Sequence, residues 1–152
     1  MSYKTYEVKI YDDGSKEWYL NGKLHREDGP AIEYSDGTKA WFLNGQRHRE
    51  DGPAIEDSSG SKSWYLNGQR HRENGPAIEY SNGNKAWYLN GQLHREGGPA
   101  FEDSYGSKAW YLNGKELTKK EWKKKVTKSK VKELPVGEIS KRLGFEVKVV
   151  KG

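Results

Sequence analysis

The chain has 152 residues, a formal net charge of +5 and no cysteine. The missing cysteines exclude disulfide bonds and thiolate metal sites, and no apolar stretch approaches transmembrane length, so no membrane insertion is expected. A hydrophobic fraction of 32% and a mean hydropathy of −1.12 are low for a deep core, but aromatic residues reach 12% and recur regularly. This composition indicates a thin folded structure rather than a disordered chain. Together with a start that lacks an apolar signal segment, it favours a cytoplasmic protein.

The charge is divided unevenly along the chain. Residues 1–114 hold 14 Lys and Arg against 17 Asp and Glu, whereas residues 115–152 hold 13 against 5. The basic character therefore belongs to the second part. We predict a repeat array over 1–114 and a basic helical cap with a short terminal strand over 115–152.

A period of 23 residues runs through the first part. A period of this length is typical of proteins built as arrays of one small structural unit. It is marked by Trp18, Trp41, Trp64, Trp87 and Trp110, by His25, His48, His71 and His94, and by Pro30, Pro53, Pro76 and Pro99.

Each unit reads as two strands and two turns. "AIEY" (31–34) is followed by "SDG", "TKAWFL" (38–43), "NG" and "QRHR" (46–49). Asn-Gly between strand-like runs predicts a tight hairpin, because both residues tolerate the positive φ of a type I′ turn. Glycine and proline recur too often for helix. We predict an all-β array of five antiparallel hairpin units that form an elongated, twisted single-layer sheet, with about 10 Å between units.

A two-residue turn fixes the register of the hairpin. In the second unit it places Leu43 opposite Gln46, Phe42 opposite Arg47, and Trp41 opposite His48, and it predicts a Trp–His contact in every such unit. The alternation along the strand places Trp and Leu on one face and Ala, Tyr or Phe, Glu and Arg on the other.

These units resemble MORN-type repeats, through "YSDGTKAWFLNGQRH" (34–48) and "YSNGNKAWYLNGQLH" (80–94). The resemblance covers about residues 6–114 and is greatest to variant MORN repeats of bacterial and phage proteins. Some of those resemble immunity proteins that neutralise toxins. The resemblance implies paired antiparallel hairpins, and a role in scaffolding or partner binding rather than in catalysis.

The repeat pattern ends at the fifth unit, where Glu116-Leu117 replaces His-Arg. Thr118 and Glu121 have the spacing of a capping box. It predicts a helix over 119–133 that stops near Pro135. A short helix ending at Gly144 and a strand at 145–150 complete the predicted α/β cap.

The repeated polar residues raise the question of chemistry. Histidines about 10 Å apart cannot share one metal ion, so no metal site is expected, and no cofactor either. Catalysis needs a nucleophile, a base and an orienting group that converge at one site, whereas Ser, His and Asp or Glu recur here as periodic sets. Glu27, Glu50, Glu73 and Glu96 follow the His-Arg pairs and offer those pairs local ionic partners. The pattern predicts a protein that is not an enzyme.

Binding of a partner is the function that the pattern favours. Arrays present extended surfaces, and Tyr and Arg are frequent interface anchors. The expectation is a module that binds and inhibits or neutralises a protein partner, of the phage or bacterial immunity type. The predicted contact residues form an exposed row of Tyr19, Phe42, Arg47, Tyr65, Arg70, Tyr88 and Tyr111.

The alternative is a binder of nucleic acid or of a phosphorylated or nucleotide ligand. Aromatic and Arg side chains supply stacking and phosphate contacts, and a lysine-rich helix adds a sequence-independent attraction for phosphates. The residues predicted to bind the anion are Lys119, Lys120, Lys123, Lys124 and Lys125.

Overall fold

The structure is a computed structural model that describes residues 4–133 together with Lys141 and Gly144. The chain divides into two compact units, Met1–Glu116 and Leu117–Gly152. In chain order the elements are β1 (Tyr6–Ile10), β2 (Lys16–Leu20), β3 (Lys23–Leu24), β4 (Ile32–Glu33), β5 (Lys39–Ala40), β6 (Phe42–Leu43), β7 (Gln46–Arg47), β8 (Ile55–Glu56), β9 (Lys62–Ser63), β10 (Tyr65–Leu66), β11 (Gln69–Arg70), β12 (Ile78–Glu79), β13 (Lys85–Ala86), β14 (Tyr88–Leu89), β15 (Gln92–Leu93), β16 (Phe101–Glu102), β17 (Lys108–Leu112), β18 (Lys115–Leu117) and α1 (Lys119–Glu133).

One sheet runs through all five repeats. Its strands follow the order β1-β2-β4-β5-β8-β9-β12-β13-β16-β17-β18, and β3 is attached to β2. Each repeat contributes a hairpin such as β4–β5, whose outer strand pairs antiparallel with the first strand of the next repeat. Sequence order and spatial order therefore agree. The predicted β-hairpin repeat array with a C-terminal helix is confirmed.

The Asn-Gly turns form a second row of hairpins. Every Asn of these pairs has φ between 49° and 52°, and each following glycine also has positive φ, as a type I′ turn requires. The predicted register is confirmed, with Phe42 opposite Arg47 and Leu43 opposite Gln46. Consecutive hairpins are joined by backbone hydrogen bonds, such as the one from the Gly68 N–H to the Arg47 carbonyl at 2.9 Å. This second row is therefore linked from repeat to repeat as well.

The continuous strand predicted over 38–43 is divided at Trp41 into β5 and β6. Before Trp41 the chain pairs within the main sheet, and after it the chain pairs with its own Asn-Gly hairpin. The Trp41 N–H donates to the carbonyl of Ala54 in the next repeat at 2.8 Å. The division thus marks the residue where the strand changes partners.

The core is thin, as the composition indicates. Among the described residues, the side chains with no exposed surface are Ala31, Ala54, Ala77 and Ala100, the alanines of the Gly-Pro-Ala segments. Isoleucines next to two of them, Ile32 and Ile78, are 7% and 3% exposed. Because so little is buried within one unit, each repeat depends on its neighbours for a core.

The second unit contains the predicted helix, α1. The Thr118 N–H and hydroxyl both donate to the Glu121 carboxylate, at 2.9 and 2.7 Å, and the Glu121 N–H donates back to the Thr118 hydroxyl at 3.3 Å. This is the predicted capping box, and within the helix Val126 is buried, with 7% of its surface exposed. Lys141 is helical and Gly144 has φ of 73°. The predicted stop near Pro135 and strand at 145–150 lie outside the described residues.

Across residues 4–133, no helix combines the length and the hydrophobicity needed to span a bilayer.

Candidate binding surface

The arginine of each His-Arg pair joins its own repeat to the first strand of the next; we call it the clamp arginine. Arg49 stacks on Trp41, with its guanidinium carbon 4.0 Å from the ring centroid. Its Nη1 donates to the Pro53 carbonyl at 3.2 Å and to the Glu56 carboxylate at 3.1 Å, and its Nε donates to Asp51 at 3.0 Å. One guanidinium therefore fixes the tryptophan, the Gly-Pro segment and the next strand together.

The other clamp arginines repeat these contacts. They are Arg26 on Trp18, Arg72 on Trp64 and Arg95 on Trp87, at 4.1, 3.8 and 3.8 Å from the ring centroids. A Cβ atom on Gly52 would lie 2.9 Å from the Arg49 guanidinium carbon, which is closer than real Cβ contacts. The spacing R-x-x-G-P is therefore explained by packing, because the glycine leaves room for the guanidinium.

The carboxylates near the His-Arg pairs do not all bind arginine. Glu50 lies 3.7 Å from Nε2 of His48, so it stands beside the histidine of the pair, whereas Arg49 pairs with Asp51 and Glu56. Strand alternation predicted arginine on the face opposite tryptophan. For Arg49 this prediction is wrong, because its guanidinium stacks on Trp41.

The histidines connect one repeat to the next. The His48 N–H donates to the Trp41 carbonyl at 3.1 Å, so the predicted backbone pairing is present, although the partner stacked on the Trp41 ring is Arg49. Nδ1 of His48 lies 3.0 Å from the side-chain oxygen and 3.2 Å from the backbone nitrogen of Asn67. The same contacts link His25, His71 and His94 to Asn44, Asn90 and Asn113. Each histidine thus holds the Asn-Gly turn of the following repeat.

Over residues 4–133, no group of three or more His, Asp or Glu side chains is assembled in the geometry of a metal site.

The Asn-Gly hairpins carry a second set of arginines. Phe42, Arg47, Tyr65, Arg70 and Tyr88 follow one another in space, and we call them the Tyr–Arg ladder. The Arg47 guanidinium carbon lies 5.7 Å from the Phe42 centroid and 5.6 Å from the Tyr65 centroid. That of Arg70 lies 5.8 Å from Tyr65 and 5.5 Å from Tyr88. The structure therefore brings five of the seven predicted contact residues into one row.

The exposure within the ladder differs from the prediction of exposed rings. Tyr65 is only 8% exposed, and Phe42 and Tyr88 are half-buried, whereas Arg47 and Arg70 are exposed. The arginines cover the rings because cation–π contact places each guanidinium over the aromatic surface. The groups that the ladder offers to solvent are thus guanidinium groups.

Although Arg70 is exposed, a hydrogen bond restrains its side chain. Its Nε donates to the Tyr65 hydroxyl at 3.1 Å. Partial burial acts to lower the pKa of Arg70, but the surrounding Tyr65, Tyr88 and Tyr80 act in the opposite direction, and the net effect is a raised pKa. Tyr80 is itself 44% exposed, so an accessible tyrosine stands beside this arginine. The sequence analysis did not single out Tyr80, although "EYSNG" in its repeat marks the same turn as "EYSDG".

The two outer members of the predicted row have other partners. Tyr19 donates a hydrogen bond to Glu17, which raises the pKa of Tyr19 to about 12, and Lys9 lies 4.4 Å from its ring centroid. Burial, and a hydrogen bond that the Tyr111 hydroxyl donates to the Glu116 carboxylate, raise the pKa of Tyr111. In the hairpins at the two ends of the ladder, leucine replaces arginine at the position opposite the aromatic residue. Leu24 lies opposite Tyr19, and Leu93 lies opposite Tyr88.

Three similar recesses lie between consecutive His-Arg loops. The largest has a volume of about 590 Å³ and is lined by Trp87, Leu89 and His94 together with two clamp arginines. Of the three, the recess nearest the N-terminus is bordered by the exposed carboxylates Glu27, Asp28, Glu50 and Asp51, and Asp28 and Asp51 bind the clamp arginines there. Carboxylates and clamp arginines therefore line these recesses together.

The predicted anion-binding lysines lie in the second unit. Lys119, Lys120, Lys123, Lys124 and Lys125 are all exposed on the first two turns of α1. They form a basic surface on the second unit.

No family model matches this chain, and no curated protein matches it in sequence.

Proposed function

We propose that the repeat array is a non-catalytic binding module that docks a protein partner on the Tyr–Arg ladder. The observation that supports this is the difference between two sets of arginines. Arg26, Arg49, Arg72 and Arg95 each form a salt bridge to a glutamate of the following repeat. Over residues 4–133, Arg47 and Arg70 form none, although both are exposed and held between rings.

An arginine held in this way is a good interface anchor. The flanking rings restrict the side chain, so less conformational entropy is lost when its N–H groups bind a partner. Arg and Tyr are also the residue types that dominate interface energies. The clamp arginines and the Asn-Gly turns recur at a regular spacing along the array, and this spacing places Arg47 and Arg70 one repeat apart.

The proposal extends to the kind of protein. In keeping with the resemblance to variant MORN repeats, the module inhibits or neutralises its target, as an immunity factor of a bacterium or phage does. The absence of cysteine suits the reducing cytoplasm in which such a factor would act.

Capture by full-length variants tests the proposal. Wild-type protein is immobilised beside Arg47→Ala/Arg70→Ala, and nuclease-treated lysate is passed over both in high salt. Lys39→Gln/Lys62→Gln is the matched control, since it removes two exposed positive charges from the same two repeats. A protein retained in stoichiometric amount by wild type and control, but not by the ladder variant, supports docking on the ladder. Equal capture by all three variants contradicts it.

The second candidate function is binding of nucleic acid or of a phosphorylated ligand through the lysines of α1. The five exposed lysines at the start of the helix favour it, because phosphate binding follows clustered positive charge. Changing these five lysines to glutamine in the full chain tests it. Salt-sensitive binding of a single-stranded oligonucleotide that is lost in this variant, and kept in the ladder variant, would establish the second function.

A further inference from the structure

The two unpaired arginines of the ladder carry an inference about what the partner presents. This inference rests on the proposed function and gives the docked segment a chemistry. Arg47 and Arg70 keep free N–H groups at the surface, because their guanidinium planes contact rings rather than carboxylates. A guanidinium in this state binds a planar carboxylate through two parallel hydrogen bonds.

The spacing of the two arginines limits the geometry of such a ligand. Tyr65 lies between them, at 5.6 Å from one guanidinium carbon and 5.8 Å from the other. The two carbons are thus at most about 11 Å apart, close to the advance of about 10 Å for one repeat. A ligand that uses both must place two anionic groups on one face at this distance.

The residues near the two arginines also favour an acidic ligand. The exposed residues beside them on the Asn-Gly hairpins are Gln46 and Gln69, which carry no charge, and the nearest positions along the row are leucines. No carboxylate on these hairpins therefore neutralises Arg47 or Arg70, and both guanidinium groups attract an acidic segment.

We infer that the ladder binds an acidic protein segment in the polyproline II conformation, with carboxylates on every third residue. This helix has three residues per turn and a rise of 3.1 Å, so carboxylates at i and i+3 lie on one face about 9 Å apart. The segment runs along the array and places one carboxylate on Arg47 and the next on Arg70. Tyr80 offers an exposed ring beside Arg70, and aromatic surfaces of this kind dock proline-rich segments.

Nucleic acid fits the ladder less well. Binding of single strands uses ring faces on which bases stack. Tyr65 is 8% exposed and has a guanidinium on either side, so its faces are occupied. The repeat region also carries a net charge of −3, counted as 14 Lys and Arg against 17 Asp and Glu in residues 1–114.

The experiment uses synthetic peptides and the full chain. The probe is a fluorescent peptide with the repeat Glu-Pro-Pro, which places a carboxylate on every third residue. One control replaces Glu by Gln, and a second uses the repeat Glu-Pro-Pro-Pro with the same number of glutamates, which turns successive carboxylates to different faces. Binding is measured by fluorescence anisotropy at low salt for wild type, Arg47→Ala/Arg70→Ala and Lys39→Gln/Lys62→Gln.

We expect wild type to bind the Glu-Pro-Pro peptide at least about tenfold more tightly than the Gln peptide, which corresponds to about 1.4 kcal/mol for two charge-assisted pairs. The ladder variant should lose this difference, and the lysine control should keep it within about twofold. Weaker binding of the Glu-Pro-Pro-Pro peptide would establish the spacing. Equal binding of both glutamate peptides, or tighter binding of an oligothymidine probe at the ladder, would overturn the inference.

The ligand chemistry and the docking surface can be tested separately. If the acidic peptide fails while capture of a protein still depends on Arg47 and Arg70, the ligand chemistry is wrong and the docking surface stands. If capture also fails to depend on the two arginines, the proposed function falls with it.

Discussion

Replacement of a clamp arginine should destabilise the array, whereas replacement of a ladder arginine should not. In Arg49→Ala, Trp41 loses the cation that covers one of its faces, and Glu56 and the Pro53 carbonyl lose their donor. Arg47→Ala in the same repeat removes an arginine that forms no salt bridge in the described part of the chain. The pair of variants therefore compares two arginines of equal charge in one structural unit.

The magnitude follows from the contacts of Arg49. The cation–π contact contributes about 1 kcal/mol at a partly exposed site. Hydrogen bonds to charged groups contribute about 1.5–3 kcal/mol when buried. The Arg49 and Glu56 side chains are 23% and 39% exposed, so water replaces part of that second contribution. We expect a loss of about 2–3 kcal/mol for Arg49→Ala, and less than about 1 kcal/mol for Arg47→Ala.

Equilibrium unfolding in urea measures both values. Tryptophan fluorescence reports on the clamp directly, and far-ultraviolet circular dichroism reports on the whole sheet. Agreement of the two probes is needed, since repeat arrays can unfold in parts. Arg49→Lys is a useful intermediate, because it keeps the charge but cannot reproduce the planar contacts of the guanidinium.

The reasoning is refuted if Arg49→Ala unfolds within about 0.5 kcal/mol of wild type, the range of an ordinary surface substitution. It is refuted equally if Arg47→Ala is as destabilising as Arg49→Ala. Either result would mean that the clamp contacts add nothing specific to the stability of the repeat.

Three further changes test other contacts. Thr38→Val removes the hydroxyl that accepts the Ser58 N–H of the next repeat at 3.0 Å, so it should lower the free energy of unfolding, measured in urea, by about 0.5–1 kcal/mol, and Thr38→Ser should restore it. Glu17→Gln should bring the pKa of Tyr19 down from about 12 towards its ordinary value, because the hydrogen bond to the carboxylate is its main cause. Because the pKa of Tyr19 is raised in the folded state, the stability that comes from this hydrogen bond is present below about pH 10 and lost as the pH rises through about 12. If an absorbance titration gives Tyr19 the same pKa in Glu17→Gln as in wild type, Glu17 is not the cause of the raised pKa. Thr118→Ala should reduce the helical dichroism and cost about 1 kcal/mol of helix stability, whereas Thr118→Ser should not; an unchanged spectrum in the alanine variant would argue against the cap.

Local chemistry was predicted well from the sequence. The Asn-Gly turns need only positive φ at two adjacent residues, and Asn67 with φ of 49° has the expected conformation. The capping box needs only Thr118 and Glu121 three positions apart, and its hydrogen bonds are present. Both features depend on a few neighbouring residues, so no knowledge of the tertiary structure was required.

Contacts between strands were predicted less well. Strand alternation put Trp41 opposite His48 and suggested that their rings meet, but Arg49 occupies the ring. Backbone register predicts which residues lie opposite each other, but it does not predict the direction that a long arginine side chain takes. The contact between His48 and Asn67 spans 19 residues and crosses a repeat boundary, so only the stacked repeats produce it.

The sequence by itself determined the 23-residue period, the two kinds of turn, the hairpin register and the helix that follows the last repeat. Each of these is set by short-range conformational preference or by repetition. Only the tertiary structure determined which contacts each of the two arginines in "QRHRE" makes. Arg49 contacts a tryptophan, a carbonyl and a glutamate from the next strand, so its guanidinium is used in contacts within the fold. Arg47, two residues earlier, lies near two rings from neighbouring repeats and forms no salt bridge within residues 4–133.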